Sequence, residues 1–183
     1  MAATLRQVEG VPVAWPATPA GLTAAAAALD AGMIWARLEA WIAYRWSTRS
    51  IVWTVEGDGE WVPPLAPATI TTVEVWQAGA WAAVTLTPGP LGGYVLNNAT
   101  YRCAGAVGAG PVPVAGQEAY RRLAEYMAEG RQYGLWKGRA GASSVSVDLG
   151  DLKQSFDRAP AWLAKAMHNS GAGDLLRPYR RVQ

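Results

Sequence analysis

Three residue types are nearly missing: the chain has one Cys, one His and one Phe. A lone cysteine, Cys103, cannot form an intramolecular disulfide and fits a reducing cytoplasm. A thiol nucleophile with an imidazole base would have to pair Cys103 with His168, and nothing around either resembles a reactive setting. No Gly-x-Ser-x-Gly elbow occurs, and no Asp/Glu cluster has the spacing of a cation loop. The expectation is therefore no catalytic residue, no cofactor, no metal and no enzyme. Apolar runs stay below the roughly 18 residues of a membrane helix, so no membrane span is expected. Met1–Gly10 lacks a basic segment followed by an apolar one, so it does not read as a signal peptide. Net charge is only +2, which gives no global field for capturing nucleic acid.

What is present is a folding composition with an odd aromatic bias. Apolar residues make up 51% of the 183, enough to bury a core rather than remain disordered. Ten Trp stand against that single Phe. Indole combines a large apolar area with one N–H donor, which suits wet boundaries as well as cores.

Residues 1–20, with Pro12, Pro16 and Pro19, read as an extended arm that is ordered only when something holds it. Ala24–Leu29 has strong helix propensity, and a second helix is expected from about Met33 to Trp46. Its stripe is Ile34, Leu38, Trp41 and Ile42, bordered by Trp35 and Trp46. The period then changes to two. Ser50–Val55 alternates, Gly57-Asp58-Gly59 signals a turn, and Pro63, Pro64 and Pro67 form a rigid connection. Thr69–Trp76 and Trp81–Leu86 should form a hairpin about Gln77–Ala80, with Ile70, Thr72, Glu74 and Trp76 on one face. Tyr101–Val107 is a further strand candidate.

Helical period returns after Pro113, with Tyr120, Leu123, Ala124 and Met127 on one side. Glu118–Arg122 and Arg121–Glu125 are i,i+4 pairs on the other. Residues 130–150 look loose, a last helix spans Ala159–Asn169, and Asp174–Leu176 adds a short turn before Pro178. The fold class is α+β: a small helical bundle with an inserted antiparallel hairpin or sheet and extended N- and C-terminal arms. The organisation is an arm over 1–20, a helical domain over 21–135 with a β insertion at about 50–107, and a Gly-rich segment, helix and tail over 136–183.

Two stretches superficially match binding motifs. Gly105-x-x-Gly108-x-Gly110 lacks the Lys-Ser/Thr of a phosphate loop and is followed by Pro111 and Pro113, so a strand-to-helix turn is the better reading. Trp35, Arg37, Trp41, Arg45 and Trp46 interleave as base-stacking platforms do, but at helical spacing such indoles are more often packed.

Four stretches, in this order, resemble the head–tail connector (adaptor, or head-completion) proteins of tailed phages and gene transfer agents. They are Trp35–Trp46 running into Ser47-Thr48-Arg49-Ser50-Ile51, and Trp61-Val62-Pro63-Pro64 followed by Ile70–Val75. The third is Gly92-Gly93-Tyr94 through Tyr101–Gly105 into Glu118–Tyr126. The fourth and most specific is Ala166–Ala172 with Leu175–Val182. The resemblance implies a virion structural protein of the neck, made in the bacterial cytoplasm, with no catalytic role. It would form a homo-oligomeric ring, usually twelve-fold, on the portal protein and offer a platform to a downstream stopper protein. DNA would pass through its lumen without sequence-specific binding. By analogy the basic tail, with Arg177, Pro178, Tyr179, Arg180 and Arg181, would be the portal-docking arm. It should be disordered alone and fold onto its partner. The competing readings are another neck or tail-completion protein, or a Trp-rich module for carbohydrate or single-stranded DNA with Trp76 and Trp81 exposed on the sheet.

Overall fold

The computed structural model describes residues 1–131, 142–148, 153–158 and 162–180, and the chain is α+β, with helices and an antiparallel sheet. It divides into two compact units, one of Met1–Trp15 with Ala43–Pro111 and the other of Pro16–Ile42 with Val112–Gln183.

The first unit is a six-stranded antiparallel sheet. Its strands are β1 (Ala3–Glu9), β2 (Arg49–Trp61), β3 (Ala68–Gln77), β4 (Ala80–Ala83), β5 (Thr87–Pro88) and β6 (Tyr94–Val107). They run in the order β1-β2-β6-β3-β4, with β5 also paired to β6. The alternation expected in β2 holds: Ile51, Trp53 and Val55 are buried, and join Trp61, Leu96, Tyr101, Cys103 and Val107 in one core. Burying a side chain of this size contributes about 1.5–3 kcal/mol, so this face holds the unit together.

Three expectations for this unit need correction. Residues 3–9 are not a free arm. They form an edge strand, because Thr4 and Gln7 accept the indole N–H groups of Trp61 (2.9 Å) and Trp53 (2.8 Å), which would otherwise lack partners on that face. Gly57-Asp58-Gly59 is not a turn. The strand continues through it with a register shift against β6, and Asp58 meets the N-terminal ammonium at 2.6 Å. In β3 a bulge between Ile70 and Thr72 changes the parity, so Ile70 packs on the core with Val73 and Val75 while Glu74 and Trp76 keep the outer face. The hairpin turns where expected. Ala78 (φ 50°) and Gly79 (φ 81°) take the left-handed values that match a two-residue turn to strand twist, setting Trp76 opposite Trp81.

The second unit is helical, with α1 (Ala24–Ala27), α2 (Ala31–Trp41), α3 (Val114–Arg131), α4 (Ala166–Asn169) and α5 (Ala172–Leu175). Thr23 caps α1 by accepting from the Ala26 N–H, while its own N–H and hydroxyl donate to the two Glu125 oxygens at 2.7 Å each. Glu125 therefore serves α1 rather than Arg121, which turns to Glu118 and the Ala20 carbonyl. The Glu118–Arg122 pair forms at 3.0 Å. Asp30 caps α2, and its apolar face buries Ile34, Trp35 and Leu38. The α3 stripe of Tyr120, Leu123, Ala124 and Met127 is buried as its spacing predicts, with Trp35 tilted onto Tyr120 at 4.7 Å.

The second helix stops at Trp41, five residues short of the expected end. Beyond it the backbone is recruited by Ala66: the Arg45 N–H donates to the Ala66 carbonyl and the Ala66 N–H to the Ala43 carbonyl, both at 2.8 Å. The stretch 130–150 is not loose throughout, because β7 (Ala142–Asp148) pairs with β8 (Lys153–Arg158). The expected helix start at Ala159–Pro160 lies outside the described residues, as do Trp136 and Gly134, Gly138, Gly141 and Gly150 of the Gly-rich segment. The described part of that helix is α4, Ala166–Asn169, entered through turns at 162–165.

Candidate functional site

The tail that the sequence suggests as a docking arm follows two short helices at the C-terminal end of the described residues. Ala166, Met167, Ala172 and Leu176 bury the inner faces of α4, α5 and the residue that follows; Gly171, in the left-handed region, starts α5, and the Ala172 N–H donates to Ser170 Oγ at 3.3 Å. Arg177–Tyr179 then form a 3-10 turn. The described part of the tail, Arg177–Arg180, thus holds a turn and contacts within its own unit, where an extended segment without contacts was expected. Pro178 bars an α-helix here, but its fixed φ and missing N–H are compatible with the first turn of a 3-10 helix.

The contact that sequence reasoning missed is Trp41. The Arg180 guanidinium lies over its ring at 5.1 Å, and the His168 ring meets it edge-on at 5.3 Å. Cation–π stacking satisfies Arg180 without a carboxylate, worth about 0.5–1 kcal/mol at such a site. Arg177 pairs with Asp174 at 3.0 Å, and both side chains are mostly in water, so its guanidinium stays open to a partner. Arg181 lies outside the described residues. Of the five tail residues, the structure therefore places Arg177, Pro178 and Tyr179 in one turn and Arg180 on Trp41.

Groups with chemical potential elsewhere are tied into structure. Cys103 is fully buried in the sheet core, and burial pushes its thiol up to about 11, which leaves little thiolate at neutral pH. The glycine run is used by backbone packing. Gly105 sits in β6 where a Cβ would lie 2.0 Å from the Thr69 carbonyl oxygen, and the Gly108 N–H donates to the Pro67 carbonyl at 3.0 Å. Trp35 and Trp46 are buried, Arg37 donates to the Leu163 carbonyl and Arg45 to Glu9, so the Trp/Arg interleaving near α2 is not an exposed stacking row. Among the described residues no group of three or more His, Cys, Asp or Glu is arranged to hold a metal ion. No described helix is long and apolar enough to cross a membrane.

The outer face of the sheet presents a second cluster. Trp76 and Trp81 meet edge-to-face at 5.2 Å across the hairpin, and Arg102 lies over Trp81 at 4.7 Å. Arg102 donates from Nε to Glu74 Oε2 at 2.6 Å, across the β3–β6 register. This bond and the neighbouring guanidinium charge hold the Glu74 carboxyl below its ordinary range. A two-residue turn between Trp76 and Trp81 is the sequence signal for the indole pair. The Glu74–Arg102 partnership needed the β3–β6 register, which no local signal carries.

No family model matches the sequence, and neither the curated proteins nor the solved structures contain a match to it.

Proposed function

We propose that the protein is a structural head–tail adaptor of a tailed phage or gene transfer agent, forming a ring on the portal and extending the DNA channel. The observation that carries this reading is the interruption of a helical unit, between α2 and α3, by an antiparallel sheet. The four sequence stretches that resemble head-completion proteins run in the same order through these elements: α2 into β2, the end of β2 into β3, β6 into α3, and α4–α5 with the tail. An exposed apolar stretch adds support. Leu5 (59% exposed), Val8, Val11 and Val13 all lie in the first thirteen residues, where a lone monomer would rarely concentrate them.

In this reading Arg177 and Arg181 meet acidic or carbonyl acceptors on the portal, while Arg180 keeps the tail seated on Trp41. Reversing both charges (Arg177→Glu with Arg181→Glu) should leave the melting temperature within about 2 °C, as the exposed Arg177–Asp174 pair contributes little. The same variant should lose attachment to portal-bearing heads. Normal completion of heads by the folded variant would remove the tail from the docking role.

A further inference from the structure

We propose that the outer face of the β3–β4 hairpin is a binding site for a neutral carbohydrate, a reading independent of the adaptor role. Trp76 is 47% exposed, and among the residues whose side chains are described every other Trp and Tyr is more buried. Its position is firm: Trp81 packs against it, and Arg102 packs on Trp81 in turn. Beside the indoles, Glu74 and Arg102 are oriented by one another through Glu74 Oε2. Among the described residues nothing else bonds Glu74 Oε1 or Arg102 Nη1, and both side chains are about a third exposed. The face thus offers an apolar ring, a fixed acceptor and a fixed donor in one place. The neighbouring register positions are Thr54 and Ala83, short side chains that leave the surface low.

Sugar rings carry the complementary pattern. One face of a pyranose is a plane of C–H groups that stacks on indole, and its rim of hydroxyls both donates and accepts. A phosphate chain is a poorer fit, because Arg102 is already neutralised by Glu74 and the same register row adds a single further cation, Arg6 across Thr54, against the several that a phosphate backbone requires to release its counterions. The face therefore suits an uncharged saccharide better than single-stranded nucleic acid.

The test uses the full chain labelled with nitrogen-15, whose indole N–H signals report on individual tryptophans. Cellohexaose, maltohexaose and chitohexaose are each titrated to about 10 mM, a range that captures weak stacking sites, with an oligothymidylate in parallel. The expected result is a saturable shift of the Trp76 and Trp81 indole signals with at least one saccharide, while those of buried Trp35 and Trp53 stay in place. A Trp76→Val variant, which keeps a strand-forming residue, should weaken binding at least about tenfold with an otherwise unchanged spectrum. Should that variant misfold, Arg102→Gln provides the alternative, with a loss of about threefold or more expected. Three findings would each overturn the proposal: no indole shift from any saccharide, binding undiminished in the folded variant, or a larger Trp76 shift from the oligothymidylate.

Discussion

Replacing Glu9 by Gln should cost about 1.5–3 kcal/mol of folding stability at neutral pH. Glu9 ends β1 and accepts from Arg45 at 2.9 and 3.1 Å, with Arg49 at 3.5 Å. Both arginine side chains are only 9% exposed, so losing the carboxylate removes one charged partner from two largely dehydrated cations, each of which keeps its other contacts. Breaking a fully buried pair costs about 3–5 kcal/mol. The estimate is lower because Glu9 is 23% exposed, because Gln still accepts a hydrogen bond, and because Arg49 also bonds the Ser47 carbonyl and lies over Trp15. Burial pushes the Glu9 carboxyl up, but the Arg45 hydrogen bond and the charges of Arg45 and Arg49 outweigh it and hold it below its ordinary 4.5. A depressed carboxyl contributes stability that is present above its unfolded value and is lost as pH falls through its folded one. The gap between wild type and Glu9→Gln should therefore narrow below about pH 4.5. Urea unfolding of both proteins at about pH 7, 5 and 3 measures it, and a cycle with Arg45→Met isolates the pair. A difference under about 0.5 kcal/mol at pH 7, or a gap that widens in acid, would refute this account of how the N-terminal strand is held.

Gly105→Ala should destabilise the sheet by about 2–4 kcal/mol, because its Cβ meets backbone at Thr69 rather than a movable side chain; a thermal melt within about 2 °C of wild type would show that β3 and β6 are not so close. Cys103 should react with iodoacetamide in the native state at least about a hundredfold more slowly than in urea at pH 8. Its raised thiol pKa alone lowers the thiolate fraction by that order, and rapid native labelling would contradict its burial. The same thiol opposes stability in alkali: the unfolded chain ionises first, so its contribution falls as pH rises toward 11.

Much of the fold is legible where a pattern is local. The period-two burial of Ile51, Trp53 and Val55, the α3 stripe and the Gln77–Ala80 turn each depend on residues a few positions apart. What escapes the sequence depends on partners far along the chain. The first part of the expected arm, Ala3–Glu9, becomes a strand because two indoles, Trp53 and Trp61, need acceptors that Gln7 and Thr4 supply from 46 and 57 positions away. The second helix ends early because Ala66 competes for its last residues. A single bulged residue in β3 moves Ile70 to the core, and no composition rule forecasts that. The candidate site divides the same way. Arg177, Pro178 and Tyr179 stand out as a basic, helix-barring tail, but Trp41 as the seat of Arg180 lies 139 positions earlier, and aromatic residues advertise no such destination.

The adaptor reading is tested most directly by weighing the isolated full-length protein, alone and mixed with a purified ring of its own particle's portal protein. Native mass spectrometry or mass photometry at micromolar concentration reads the stoichiometry. The account predicts a discrete complex with one copy of this chain per portal subunit, abolished by the Arg177→Glu, Arg181→Glu charge reversal. A portal ring whose mass is unchanged by an excess of the folded protein would contradict it.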